Sequence, residues 1–304
     1  MVIRTDLALE AREMIDEERS EEMQKKGKLP NGMYVNTRDT PYVYITDIEI
    51  LSKEAEHTIG KKMGKYITLE IKNPSLDTND IQENISRVFS NEIYELIQSI
   101  DIEEPRIMIA GLGNRNITAD SLGPKVADKI VVTRHVKNMS DLKIDERLGN
   151  VCAIIPGVMG ITGIETGDII KGVVETVKPD ILFVIDALAS RKASRVNSTI
   201  QISDTGIVPG SGVGNHRMEL SENTLGIPVI AVGVPTVVDA LTLVKDLYND
   251  DNIKPSENDT IANMVVTPKN IDIAIDRIAE VVASGFNLAV HRGFGRHEIN
   301  EYLI

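Results

Sequence analysis

Apolar and polar positions along the chain alternate in two different rhythms. Tyr42 to Leu51 and Tyr66 to Lys72 alternate apolar and polar residues, as half-buried strands do. Thr78 to Ile100 instead repeats Ile81, Ile85, Val88, Phe89, Ile93, Leu96 and Ile97 on one face, which predicts an amphipathic helix. Arg106–Ala110, Ile181–Leu188 and Ile227–Gly233 are short, nearly unbroken apolar runs, as expected of strands buried on both faces. Helical patterns follow over Lys125–Val136, Asp168–Val177, Asp239–Tyr248 and Thr267–Val290. Leu7 to Lys26 is helical but strongly charged, so it is expected either to stand in solvent or to dock on a neighbour.

Buried strands alternating with helices predict an α/β fold. The expected architecture is a mixed, mostly parallel sheet flanked by helices on both faces. No repeat and no low-complexity linker divides the 304 residues, and Asn249–Asp259 reads as a polar surface loop.

Composition narrows the function. A net charge of −13 argues against direct binding of nucleic acid, which rests on neutralising phosphates. Aromatic residues make up only 4% and Trp is absent, which disfavours a stacking groove. No apolar run reaches the roughly 18 residues of a membrane span, and the N-terminus does not read as a signal peptide, so the expected location is cytoplasmic. Cys152 is the only cysteine; it excludes an intrachain disulfide and reads as a buried, inert thiol.

Candidate chemistry sits at two strand ends. The Arg106 strand runs into Gly111-Leu-Gly-Asn114, with Asp120 just beyond, and the Ile181 strand carries Asp186 near its end. Open α/β sheets place their sites at such ends. Two close carboxylates share a proton, supplying a base to activate water and an acid to protonate a leaving amine. The same pair is also able to hold a divalent metal, or merely to cap a helix and fix a turn. The glycine strings lack both the third glycine of the dinucleotide fingerprint and the Walker lysine. Ser211 is in the wrong setting for a nucleophile elbow, so its loop is expected to be a flexible rim. His57, His135, His216, His291 and His297 form no zinc spacing; of these only His216, beside Arg217, is placed to approach the acids. Arg191 and Arg195 follow the Asp186 strand and are candidates to hold an acidic substrate side chain.

Longer strings carry a resemblance over nearly the whole chain. They are Arg4-Thr-Asp-Leu-Ala-Leu-Glu-Ala11, Thr118-Ala-Asp-Ser-Leu-Gly-Pro124, Pro156-Gly-Val-Met-Gly160, Glu165-Thr-Gly-Asp168 and Ile185-Asp-Ala-Leu-Ala-Ser-Arg191. Ser203-Asp-Thr-Gly206, Pro209-Gly-Ser-Gly-Val-Gly-Asn215 and Gly233-Val-Pro-Thr-Val-Val-Asp239 complete the set. The chain resembles the germination protease of endospore-forming bacteria, the endopeptidase that degrades small acid-soluble spore proteins. That family is similar in core fold to the hydrogenase-maturation peptidases, whose corresponding acids bind the nickel of the hydrogenase precursor. The resemblance implies that Asp120 and Asp186 are the catalytic pair, with no obligatory cofactor but with a divalent metal between them left open.

The resemblance also implies cleavage after an acidic and before an apolar residue, a zymogen, a homotetramer, and residence in the forespore and spore core. Thr5-Asp6-Leu7-Ala8 matches the family's cleavage setting, so autocleavage is expected between Asp6 and Leu7. Residues 1–6 would then be a short prosegment and 7–304 a single peptidase domain. A simple cap for the following helix is the other reading of Asp6. The rival functions are a metal-dependent maturation-type peptidase and a non-catalytic anion-binding protein.

Overall fold

The computed structural model describes residues 5–22, 31–137, 139, 145–210, 217–248, 264–295 and 298. Its strands are β1 (Met33–Asp39), β2 (Val43–Ile50), β3 (Gly64–Ile71), β4 (Arg106–Gly111), β5 (Asn150–Ile154), β6 (Ile181–Ser190), β7 (Thr199–Ser203), β8 (Val229–Asp239) and β9 (Val265–Val266). Its helices are α1 (Ala8–Glu22), α2 (Lys53–Ile59), α3 (Asn79–Gln98), α4 (Leu122–Ala127), α5 (Arg134–Lys137), α6 (Met159–Thr162), α7 (Thr166–Val177), α8 (Glu222–Leu225), α9 (Ala240–Tyr248) and α10 (Ile271–Val290).

The described strands join in one sheet of order β1-β2-β3-β7-β8-β6-β4-β5, with β9 added to β8. The expected mixed α/β sheet is therefore present, and its two halves differ. β5, β4, β6 and β8 run parallel, and these are the continuous apolar runs of the sequence. β1, β2, β3 and β7 pair antiparallel, and β7 joins β8 antiparallel, so antiparallel pairings outnumber parallel ones among the described strands. The extra antiparallel strands arise where Met33–Asp39, with only Met33 buried, extends the sheet as an edge.

One face of the sheet carries the main core. α3 and α10 lie across it, with Phe286 edge-on to both Phe89 and Phe183 at centroid distances of 5.3 and 5.1 Å. Gly285 permits this approach, since a Cβ there would stand 2.4 Å from the Phe89 ring. The opposite face is covered in two patches. α7 packs Ile170 and Val174 over the parallel half, against Met108, Leu182 and Val184. α1 and α2 cover the antiparallel half, packing against Ile48, Ile50 and Tyr66.

Two local features depart from the sequence pattern. The helix expected over Lys125–Val136 is split into α4 and α5. Asn287 of α10 takes the Val131 N–H at 3.0 Å and donates to the Lys129 carbonyl at 2.9 Å, offering the backbone partners that a continuing helix would have supplied. His291 fixes the same corner, accepting from Gly149 N–H and bridging to the Val131 carbonyl. Second, the charged N-terminal helix is docked rather than free: Ala8, Leu9 and Ala11 of α1 are buried, together with the carboxylate of Glu10. Cys152 is part-buried, and burial raises its thiol pKa, which keeps it protonated and unreactive.

Candidate active site

Asp120 and Asp186 meet in a cavity of about 260 Å³ just beyond the C-terminal end of β4, where the longer β6 continues past it. The loop after β4 makes this possible through glycines packed against backbone. A Cβ on Gly111 would lie 2.2 Å from the Gly123 carbonyl oxygen. Gly113 has φ +110, and a Cβ there would stand 2.0 Å from the Asp120 carbonyl oxygen. The loop is thereby folded tightly enough for Asn114 N–H to donate to the Asp120 carboxylate at 2.8 Å. Asp120 does not cap α4. Asp186 sits at a fully buried stretch of β6, where Ala187 N–H donates to its carboxylate at 2.9 Å.

Burial pushes the Asp186 carboxyl up to about 8, and the nearby charges of Asp120 and Asp6 push in the same direction. Burial also raises Asp120, but the Asn114 N–H and the charge of Arg217 oppose that rise. At neutral pH this arrangement favours a proton on Asp186. Arg217 lines the same cavity and its charge acts on both acids. It is a site residue that sequence reasoning missed; the available signal was a lone cation at the end of the second glycine loop.

The third acid of the cavity is Asp6. Its N–H donates to the Ala189 carbonyl at 3.1 Å, and Ala189 N–H returns a bond to the Asp6 carboxylate at 2.9 Å. The segment Thr5–Leu7 is therefore laid along the end of β6, three residues beyond Asp186. At the entry to α1 the Thr5 hydroxyl accepts from Leu7 N–H at 3.1 Å. Leu7 itself is fully buried. The Asp6 carbonyl accepts from Lys61 Nζ at 2.9 Å and Gln201 Nε2 at 3.2 Å.

The basic residues after β6 are placed differently from the expectation that they hold the acid before the cut. Neither Arg191 nor Arg195 lines the cavity. Arg195 is buried and bound to Glu13 at 2.6 Å and Glu70 at 3.0 Å, with Glu10 at 3.4 Å. Arg191 and Lys192 offer backbone N–H groups to Glu10 at 2.6 and 3.0 Å. This loop therefore grips acids of α1 on the far side of the Asp6–Leu7 bond. The acid before that bond is met by a strand amide instead. His216 and Ser211 lie outside the described residues. Among the described residues no three carboxylate, imidazole or thiol groups are gathered as a metal cluster, and no helix is long and apolar enough to cross a membrane.

A family model for germination protease matches residues 8–250 of this sequence. The chain belongs to the germination protease family. It is accordingly a peptidase, a hydrolase of peptide bonds. Curated germination proteases resemble it end to end. That of Clostridium acetobutylicum is 45% identical over 331 aligned residues, covering 99% of each chain. That of Caldanaerobacter subterraneus is 42% identical, covering 99% of this chain and 98% of the relative. The Bacillus thuringiensis protein is 38% identical, covering 99% of this chain and 96% of the relative. Among solved structures, a hydrogenase maturation protease from Thermococcus kodakarensis aligns with 63% of this chain and 98% of its own, at 18% identity and a TM-score of 0.32.

Proposed function

We propose that the chain is an endopeptidase that opens the degradation of small acid-soluble spore proteins during germination. It cuts after an acidic and before an apolar residue, and it first cuts itself between Asp6 and Leu7. The observation that carries this reading is the seat of Asp6 in the cavity of Asp120 and Asp186, with an apolar residue following it.

Chemically, the ionised Asp120 takes a proton from water, and the water oxygen adds to the carbonyl carbon of the residue before the cut. Protonated Asp186 then delivers its proton to the departing amine as the C–N bond breaks. Arg217 offsets the negative charge of the pair, so that one acid ionises near neutrality. The acidic side chain before the cut is held by the Ala189 N–H, as Asp6 is. The apolar side chain after it enters the buried position of Leu7. A homotetramer located in the forespore and spore core goes with the family reading.

The test uses a short peptide carrying a Thr-Glu-Ile-Ala site, incubated with wild type, Asp120→Asn and Asp186→Asn, each with and without EDTA. Cleavage after Glu by wild type alone, unchanged by EDTA, is expected. EDTA-sensitive cleavage restored by a divalent ion would make the two aspartates metal ligands. No cleavage by any form would return the fold to anion binding.

A further inference from the structure

We propose that Lys61 and Gln201 are the carbonyl-polarising pair of this peptidase, gripping the oxygen of the residue before the cut as it becomes an oxyanion. The proposal rests on the reading that Asp6–Leu7 occupies the substrate position.

Lys61 follows the left-handed Gly60 (φ +70) that ends α2, so the chain turns there and aims the lysine at the N-terminal segment. Its ammonium donates to the Asp6 carbonyl at 2.9 Å and to the Thr5 carbonyl at 3.2 Å. It is half-buried, and burial lowers its pKa while the charges of Asp6 and Glu10 act against that fall.

Gln201 comes from β7 and straddles the same bond. Its Nε2 donates to the Asp6 carbonyl at 3.2 Å, while its Oε1 accepts from Ala8 N–H at 2.6 Å. The Ala8 N–H settles which end of the amide faces the carbonyl.

Sheet register ties this pair to the acids. Gln201 is opposite Gly233, and Gly233 is opposite Asp186, so Gln201 and Asp186 share one row on one face of the sheet. Gly233 leaves the intervening position without a side chain of its own. When water adds to the Asp6 carbonyl carbon, the C=O electron pair moves to the oxygen already held by one cation and one amide. Collapse returns that pair as the Leu7 nitrogen takes the proton from Asp186 and the C–N bond breaks. Two donors aimed at a developing oxyanion constitute the usual electrostatic device for acyl transfer.

The test follows single-turnover release of Met1–Asp6 from the full chain by intact mass, with kcat and KM on a Thr-Glu-Ile-Ala peptide in parallel. Lys61→Met is expected to slow release and lower kcat by roughly 100-fold or more, with KM and melting temperature little changed. Lys61→Gln, which keeps an N–H donor, is expected to recover part of the rate. Gln201→Glu keeps the acceptor for the amide of the second residue after the cut but removes the donor, so kcat should fall with KM retained. Wild-type rates in Lys61→Met, or losses confined to KM, would overturn the proposal. A wild type that never releases Met1–Asp6 would refute the autocleavage reading instead. The peptide kcat would then still decide the role of the pair.

Discussion

Replacing Asp186 with Asn should abolish activity and yet make the protein more stable, by an amount that grows with pH. The Asp186 carboxyl is lifted from an ordinary 3.8 to about 8 by burial and by the charges of Asp120 and Asp6. A carboxyl raised in the folded state binds its proton there while the unfolded chain has already released it, so stability falls as pH rises from about 4 to 8. Below pH 4 both states are protonated and the penalty is absent. One pH unit between the two states is worth ~1.4 kcal/mol, so at pH 7 the native Asp186 costs up to about 4 kcal/mol. Asn has nearly the same shape and does not titrate. The variant should therefore match wild type near pH 4 and exceed it by several kcal/mol at pH 7, raising Tm by roughly 5–10 °C. The chain has no Trp, so melting is best followed by circular dichroism or a dye at pH 5, 6, 7 and 8, with intact mass confirming that wild type is uncut. A variant less stable than wild type at every pH, or a gap independent of pH, would refute the reasoning.

Other expectations follow from the same geometry. Gly113→Ala drives a Cβ into the Asp120 backbone and strains a φ of +110, so activity should fall by 100-fold or more with a lowered Tm, read by peptide hydrolysis and melting. Arg217→Gln removes a charge that lowers both acids, so both limbs of the pH–rate profile should move to higher pH; an unmoved profile would place Arg217 outside the reaction. Arg195→Met leaves buried Glu10 with backbone N–H partners in place of its guanidinium and Glu13 with Lys192 alone, and should cost about 3–5 kcal/mol in denaturant unfolding, with proteolytic sensitivity of α1 increased.

The sequence was most legible where one physical signal dominated. Ile181–Leu188 is so continuously apolar that only a strand buried on both faces accommodates it, and Asp186 stands out there because a carboxylate is costly in such a run. The seven apolar positions between Ile81 and Ile97 likewise leave no alternative to the amphipathic α3. Signals failed where tertiary partners decide. Met33–Asp39 shows almost no alternation because one residue in seven is buried. The break after α4 depends on the side chain of Asn287, more than 150 residues away in the chain. Arg195 reads as a substrate clamp until Glu10, Glu13 and Glu70 are seen around it. Lys61 and Gln201 look like ordinary polar residues, one in a turn and one on a strand. Only the sheet register and the docking of Thr5–Ala8 bring them to one carbonyl oxygen.

The central claim is that Asp120 and Asp186 cut the bond after an acid lodged beside them, and the N-terminal segment offers the most direct test. Full-length wild type, Asp120→Asn and Asp186→Asn should be incubated at mildly acid pH and their N-termini read by intact mass and Edman sequencing. Wild type should lose Met1–Asp6 and begin at Leu7, while both variants keep their original terminus. Cleavage at Asp6–Leu7 in either variant, or a wild type that stays whole, would contradict the account.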